Sequence, residues 1–300
     1  VIESIDAPTI YEVPFNMLRE GLDIQVLKKL GISAKGEPDL EKWKSFLYRL
    51  KNPLTEVNIG LVGKYVELKD AYKSISEAFI HAGAATQCKV KIKWIHSEKL
   101  EDNPDCIQEE LQGLNGILVA PGFGSRGIEG KIMAVRYARE NKIPFLGICL
   151  GMQCAVIEFA RNVLGYKDAH SVEMSASTTH PVIDIMEEQK LIQNMGGTMR
   201  LGAYPCKLKE NTKIYSAYQK ENISERHRHR YEFNNAYLEA FEQAGMIASG
   251  INPDTNLVEV VEIPSHPYFV GVQYHPEYRS TVVEPSPLFI SFVKAASRKE

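Results

Sequence analysis

The chain has 300 residues, with 35 Lys+Arg against 38 Asp+Glu, a net charge of −3 and 44% hydrophobic residues. That length and apolar content suit one large α/β domain or a domain plus an extension, and the near-balanced charge gives no field favouring nucleic acid or an anionic membrane. Five cysteines at irregular spacing do not read as a disulfide framework, no C-x-x-C pair points to zinc, and neither a signal peptide nor a bilayer-length apolar run is present. The expectation is a reduced, cytoplasmic protein with no metal site, in which a free thiol can persist.

Residues 1–55 differ in pattern from the rest of the chain. The strings Y-E-V-P-F-N-M-L-R-E-G-L-D and I-Q-V-L-K-K-L carry helical spacing and no strand signal. Asp39 can cap a further helix with Phe46, Leu47 and Leu50 on one side, which Lys51-Asn52-Pro53 breaks. The chain opens mid-pattern at Val1, as a piece of a longer protein would.

From Val57 the pattern becomes alternating strands and helices, so residues 56–300 read as the main domain. Strands are predicted at 57–63, 89–95, 116–120 and 144–149. Helices are predicted at 71–82, 131–140 and 150–164, the last with Met152, Ala155, Val156, Phe159, Ala160 and Val163 on one side. Two more strands are predicted at 257–263 and 268–275. Alternating β and α units imply a doubly wound, mostly parallel sheet with a flavodoxin-like core and helices on both faces, whose strands carry ligands at their C-terminal ends.

Gly147 and Gly151 flank Cys149 as G-x-C-x-G, between a buried strand and a helix. This spacing matches the serine elbow G-x-S-x-G, in which a strained turn exposes the nucleophile and small neighbours avoid clashes. A sulfur there sits at a helix N-terminus, where free N–H groups favour an anion, and the N–H of Leu150 can serve an oxyanion. Cys154 lies within the helix and reads as packing. A thiol nucleophile needs a base brought near by the fold. His275 ends a strand at the same kind of edge, and Glu277 can fold back onto its imidazole and select the tautomer. A cysteine peptidase or chaperone-like protein on the same sheet, or a docking module with an idle triad, would share this elbow.

G-I-C-L-G-M-Q followed by Q-Y-H-P-E resembles the class I (triad) glutamine amidotransferases. G-L-V-G-K-Y-V-E-L-K-D-A-Y-K-S-I, F-G-S-R-G-I-E-G-K, M-G-G-T-M-R-L-G and E-R-H-R-H-R-Y-E narrow the resemblance to the CTP synthase family, from Val57 to about Ala296. Residues 1–50 resemble the last helical part of that family's synthetase domain and its linker, and the ATP- and UTP-binding body is absent. The resemblance implies glutamine hydrolysis through a Cys149 thioester, with His275 and Glu277 completing the triad. The ammonia would serve ATP- and Mg-dependent amination of UTP in the missing synthetase domain. It also implies GTP as an effector and a tetramer in the full enzyme, with no nucleic acid and no membrane partner.

For the oxyanion the resemblance implies Leu150 and a donor in A-P-G-F-G, residues 120–124. The family more often has P-G-G-F-G there. Pro121 has no N–H, which leaves Gly122; such donors are worth about 3 to 4 kcal/mol each. Glutamine would be held by Gly122, Phe123, Leu150, Gln153, Glu173 and Arg230, with Glu173 on the ammonium and Arg230 forking onto the carboxylate. Arg228 is the alternative, because strand alternation puts Arg226, Arg228 and Arg230 on one face. The resemblance assigns the lid and GTP contacts to Arg126, Gly196, Gly197 and Arg200.

Overall fold

In the short central strands every residue is buried, and successive side chains feed opposite cores. A computed structural model describes residues 2–3, 5–33, 36–185 and 199–298. Its strands are β1 (Thr55–Gly63), β2 (Cys88–His96), β3 (Gly116–Val119), β4 (Phe145–Ile148), β5 (His170–Ser171), β6 (Pro181–Ile185), β7 (Arg200–Leu208), β8 (Asn222–His229), β9 (Tyr231–Phe233), β10 (Ile247–Ile251), β11 (Val258–Glu262) and β12 (Phe269–Val272). One nine-stranded sheet runs β2-β1-β3-β4-β12-β11-β10-β7-β8, and a small sheet runs β5-β6-β9. The pairings from β2 through β12 are parallel, and those from β12 through β8 are antiparallel. The sheet is therefore a parallel core continued by an antiparallel arm.

The period of two sorts the side chains between two cores. Ile117 and Val119 of β3 and Phe145 of β4 join Ile132, Val135 and Met152 on one face. Leu118, Leu146 and Ile148 join Phe79, Leu288 and Phe292 on the other. The helices Ile128–Glu140 and Leu150–Asn162 thus cover the first face, and Lys73–Thr86 and Pro287–Ser297 the second. The six predicted strands and three predicted helices are all present with ends shifted by a few residues. Of the arm, the sequence reading had β11 and the alternation at Arg226 to Arg230; β7, β10 and the small sheet escaped it.

The N-terminal segment is helical over Val13–Arg19, Leu22–Leu30 and Glu41–Lys51, and Asp39 accepts from the Glu41 N–H at 3.0 Å. It packs on the domain through Tyr11 and Phe46. The Tyr11 hydroxyl meets Glu77 and, at 3.2 Å, His81 Nε2. His81 Nδ1 lies 3.0 Å from Ser280 Oγ, just past Glu277. A buried polar chain therefore joins this segment to the turn that carries Glu277.

Candidate active site

The parallel strands end in loops on one edge, and this edge gathers the predicted residues. Cys149 follows β4 with φ 53° and ψ −105°, in the left-handed half of φ that a side chain normally avoids. The turn holds because β4 and the next helix approach too closely for side chains. A Cβ on Gly147 would lie 2.7 Å from the Gly151 carbonyl, and one on Gly151 would lie 2.1 Å from the Val119 oxygen. The Cys149 N–H remains in the ladder, donating to Val272 at 2.7 Å. The thiol is thus fixed at the first turn of the helix, where N–H groups lack intrahelical acceptors.

His275 comes from the neighbouring strand, three residues past the end of β12. Its N–H donates to the Arg226 carbonyl at 2.8 Å. Its Nδ1 lies 2.7 Å from Glu277 Oε1, and Tyr278 stacks on its ring at 4.8 Å. Nε2 is buried without a hydrogen-bond partner, and Cys149 is among the groups that act on the ring. Burial alone would push the imidazole down, but Cys149 and Glu277 more than offset it and lift its pKa to about 10. The base is therefore held as an imidazolium facing the sulfur at neutral pH.

Two cavities meet at Cys149. One, of about 260 Å³, is lined by Lys64, Tyr65, Phe123, Arg228, His275 and Tyr278 among others. The other is narrower and is lined by Gly122, Leu150, Gln153, Glu173, His229 and Arg230 among others. Six residues expected to hold glutamine thus surround the thiol together. A Cβ on Gly122 would lie 3.5 Å from the Leu150 side chain, so the Gly122 backbone packs beside Leu150.

The sequence left Arg228 and Arg230 open, and the fold separates them. β8 ends at His229, with Arg226 and Arg228 exposed on one face and His227 and His229 buried on the other. Arg230 is the junction to β9, which pairs with β6 in the small sheet. The shared-face reading holds for Arg226 and Arg228 only, because Arg230 lies where the chain changes sheets. It lines the cavity with Glu173, while Arg228 sits over the Phe123 ring at 5.9 Å in the other.

Other residues stand differently from expectation. Gln153 is buried, and its amide donates to Tyr231 O at 2.9 Å and Gln273 Oε1 at 3.2 Å. Arg126 pairs with Glu98 at 3.0 Å on the surface and lies over Tyr65. Arg200, expected as a lid contact, is buried, 2.6 Å from Glu259 and 3.4 Å from Glu232. Desolvation raises these carboxyls to about 8 at Glu232 and about 7 at Glu259, and one guanidinium offsets it only partly. Gly196 and Gly197 lie outside the described residues. Among the described residues no His/Cys/Asp/Glu cluster could hold a metal, and no helix is long and apolar enough to cross a membrane.

Sequence reasoning missed three residues here. Gln273 Nε2 lies 3.6 Å from the Cys149 sulfur; its place just after β12, opposite the elbow, was the available signal. Lys64 Nζ holds the Phe123 and Gly124 carbonyls. Lys131 Nζ holds the Ala120 carbonyl from beneath.

The model of class-I glutamine amidotransferases matches residues 67–295. The CTP synthase of Cytophaga hutchinsonii is 66% identical over 297 residues, covering 99% of this chain and 55% of that protein. That of Bacteroides fragilis is 58% identical over 299 residues, covering 100% of this chain and 56% of that protein. This chain therefore spans about half the length of the curated relatives it matches. The solved glutaminase domain of Trypanosoma brucei CTPS with bound acivicin is 41% identical with a TM-score of 0.77, covering 81% of this chain and 95% of that one. In sequence and in fold alike, the chain belongs to the class-I glutamine amidotransferase family, among its CTP synthase members.

Proposed function

We propose that the chain is the glutaminase part of a CTP synthase and hydrolyses glutamine to glutamate and ammonia. The observation that carries this is the Cys149–His275–Glu277 constellation at the elbow, beside a cavity holding both Glu173 and Arg230. In the first step the Cys149 sulfur attacks the side-chain amide carbon, while the oxygen gains charge facing the Gly122 and Leu150 N–H groups. His275 gives its proton to the departing nitrogen, and the C–N bond breaks to leave a γ-glutamyl thioester and ammonia. His275 then takes a proton from water, which attacks the thioester; the C–S bond breaks to release glutamate and free the sulfur, and His275 is again the imidazolium. Glu277 keeps the imidazole oriented and supports its charge throughout. Glu173 faces the substrate ammonium, and Arg230 forks onto its carboxylate.

In the whole protein the ammonia serves amination of UTP, which requires ATP and Mg in a synthetase domain. Residues 1–55 are the end of that domain and the linker to residues 56–300. GTP acts on the lid as an effector, and the full enzyme works as a cytoplasmic tetramer. The test is labelling with acivicin, the glutamine analogue held by the Trypanosoma relative. Mass spectrometry should place the adduct on Cys149, and Cys149→Ser should abolish it. An adduct on Cys154, or peptidase activity with no turnover of glutamine, would sink the assignment.

A further inference from the structure

Beneath the oxyanion loop lies a fully buried lysine that the proposed hydrolysis does not use. Lys131 stands in the first turn of Ile128–Glu140, and its residue is 0% exposed. Its Nζ donates to the Ala120 carbonyl at 2.6 Å. A Cβ built on Gly122 would lie 3.6 Å from the same nitrogen. The ammonium thus holds one end of the Ala120-Pro121-Gly122 turn and lies near the other. The titratable groups that act on it are Cys154, Lys64 and Cys149. No carboxylate among the described residues pairs with it.

A buried cation without a counter-ion is costly, and it persists only where something favours the charge. Ala120 directly follows β3, and its own N–H is fixed to the Val62 carbonyl at 3.0 Å. The next residue is proline, which cannot donate. The orientation of the following peptide, the one that presents the Gly122 N–H, therefore depends on what holds the Ala120 carbonyl. Lys64 performs the matching task at the other end, on the Phe123 and Gly124 carbonyls. The loop is suspended between two lysines, and of the two Lys131 is the fully buried one, with Nζ on the Ala120 carbonyl.

The geometry points to Lys131 as a positioning residue of glutamine hydrolysis: its ammonium anchors the Ala120 carbonyl, aims the Gly122 N–H at the developing oxyanion, and places positive charge near the Cys149 sulfur and behind that oxygen. This role rests on the glutaminase function proposed for the site. Burial pushes the lysine down to about 8, so the charged form prevails at neutral pH and is lost on the alkaline side.

The test is Lys131→Met, with Lys131→Gln as a second variant. Methionine fills the space and removes a desolvation penalty, so melting temperature serves as the folding control. The expected result at pH 7 is a kcat at least tenfold lower with KM within threefold. The wild-type kcat should also fall on the alkaline side with a midpoint near pH 8, and Lys131→Met should lack that limb. A purely structural lysine would change melting temperature and leave the limb in place. A folded variant with kcat within twofold of wild type, or with the same alkaline limb, overturns the inference. Iodoacetamide alkylation of Cys149 separates this from the functional reading, because it needs no glutamine. Lys131→Met should slow it at least fivefold at pH 7 even if wild type does not turn over glutamine, and an unchanged rate would refute the role.

Discussion

Gly151→Ala probes the elbow through a single close contact of known size. The added Cβ would lie 2.1 Å from the Val119 oxygen and 3.0 Å from its carbon, where real Cβ contacts stay at 3.0 Å or more. The helix or the strand must move by about 0.9 Å to restore that distance. Val119 cannot yield easily, because β3 is paired on both sides, with Val62 and with Gly147. The helix is the part that moves, and it carries the Leu150 N–H and the thiol two residues upstream. Overpacking of this kind costs about 1–3 kcal/mol, and each kcal/mol lowers Tm by about 2–4 °C in a chain of roughly this size. A misplacement near 1 Å costs about a hundredfold in rate. Steady-state glutaminase kinetics beside a thermal melt should show kcat falling on that scale while Tm drops by only several degrees. A variant with kcat within threefold of wild type and an unchanged melt would show that the close approach does not set the thiol's position.

Glu277→Gln removes the carboxylate that helps lift His275 to about 10. In wild type the imidazolium is kept below that pH and lost above it, so from pH 7 to 9 Cys149 alkylation should show no rise, only the decline that follows Lys131 near pH 8. In the variant the rate at pH 7 should fall and should climb with pH; identical profiles would refute the orienting role. By the same sign, the pair's contribution to stability is complete below the ordinary histidine pKa of about 6.5 and is lost as pH rises through 10. Arg230→Met should raise the KM for glutamine at least tenfold, and Arg228→Met should change it far less; the reverse order would return the carboxylate to Arg228. Arg200→Met leaves Glu232 and Glu259 buried without their cation and should cost about 3–5 kcal/mol in denaturant unfolding at pH 9, above the values of about 8 and about 7 at which these carboxyls ionise. A loss under 1 kcal/mol would mean that both carboxyls are already neutral.

The elbow was legible because its constraint is local. Gly147, Cys149 and Gly151 occupy one turn, and the close approach that needs the glycines falls within it or against the next strand. His275 and Glu277 were legible for a similar reason, since two residues suffice to fold a carboxylate onto an imidazole. The arginine choice was not legible. It depends on β8 and β9 belonging to different sheets, and alternation along one strand carries no sign of where the chain leaves that sheet. Lys131 was hidden more deeply. In sequence it is one cation in a charged helix, and only the packing of that helix under the 120–124 loop removes it from water.

Arg200 shows the same limit and connects the arm to the site. The resemblance of M-G-G-T-M-R-L-G to the family's lid implied a lid contact. The side chain instead turns inward from β7 to Glu259 on β11 and Glu232 on β9. His227 Nε2 lies 3.6 Å from Glu259 and His229 Nδ1 3.8 Å from Glu232, and His229 also lines the cavity beside Cys149. Burial keeps both histidines neutral, pushed down to about 2 and about 3. The face of β8 behind Arg228 is therefore a buried polar network around one guanidinium rather than an apolar core. Such a network holds one geometry well, since any shift leaves a buried polar group without its partner. It fixes the register in which β8 ends at His229, and that ending delivers Arg230 to the cavity with Glu173 and leaves Arg228 outside it.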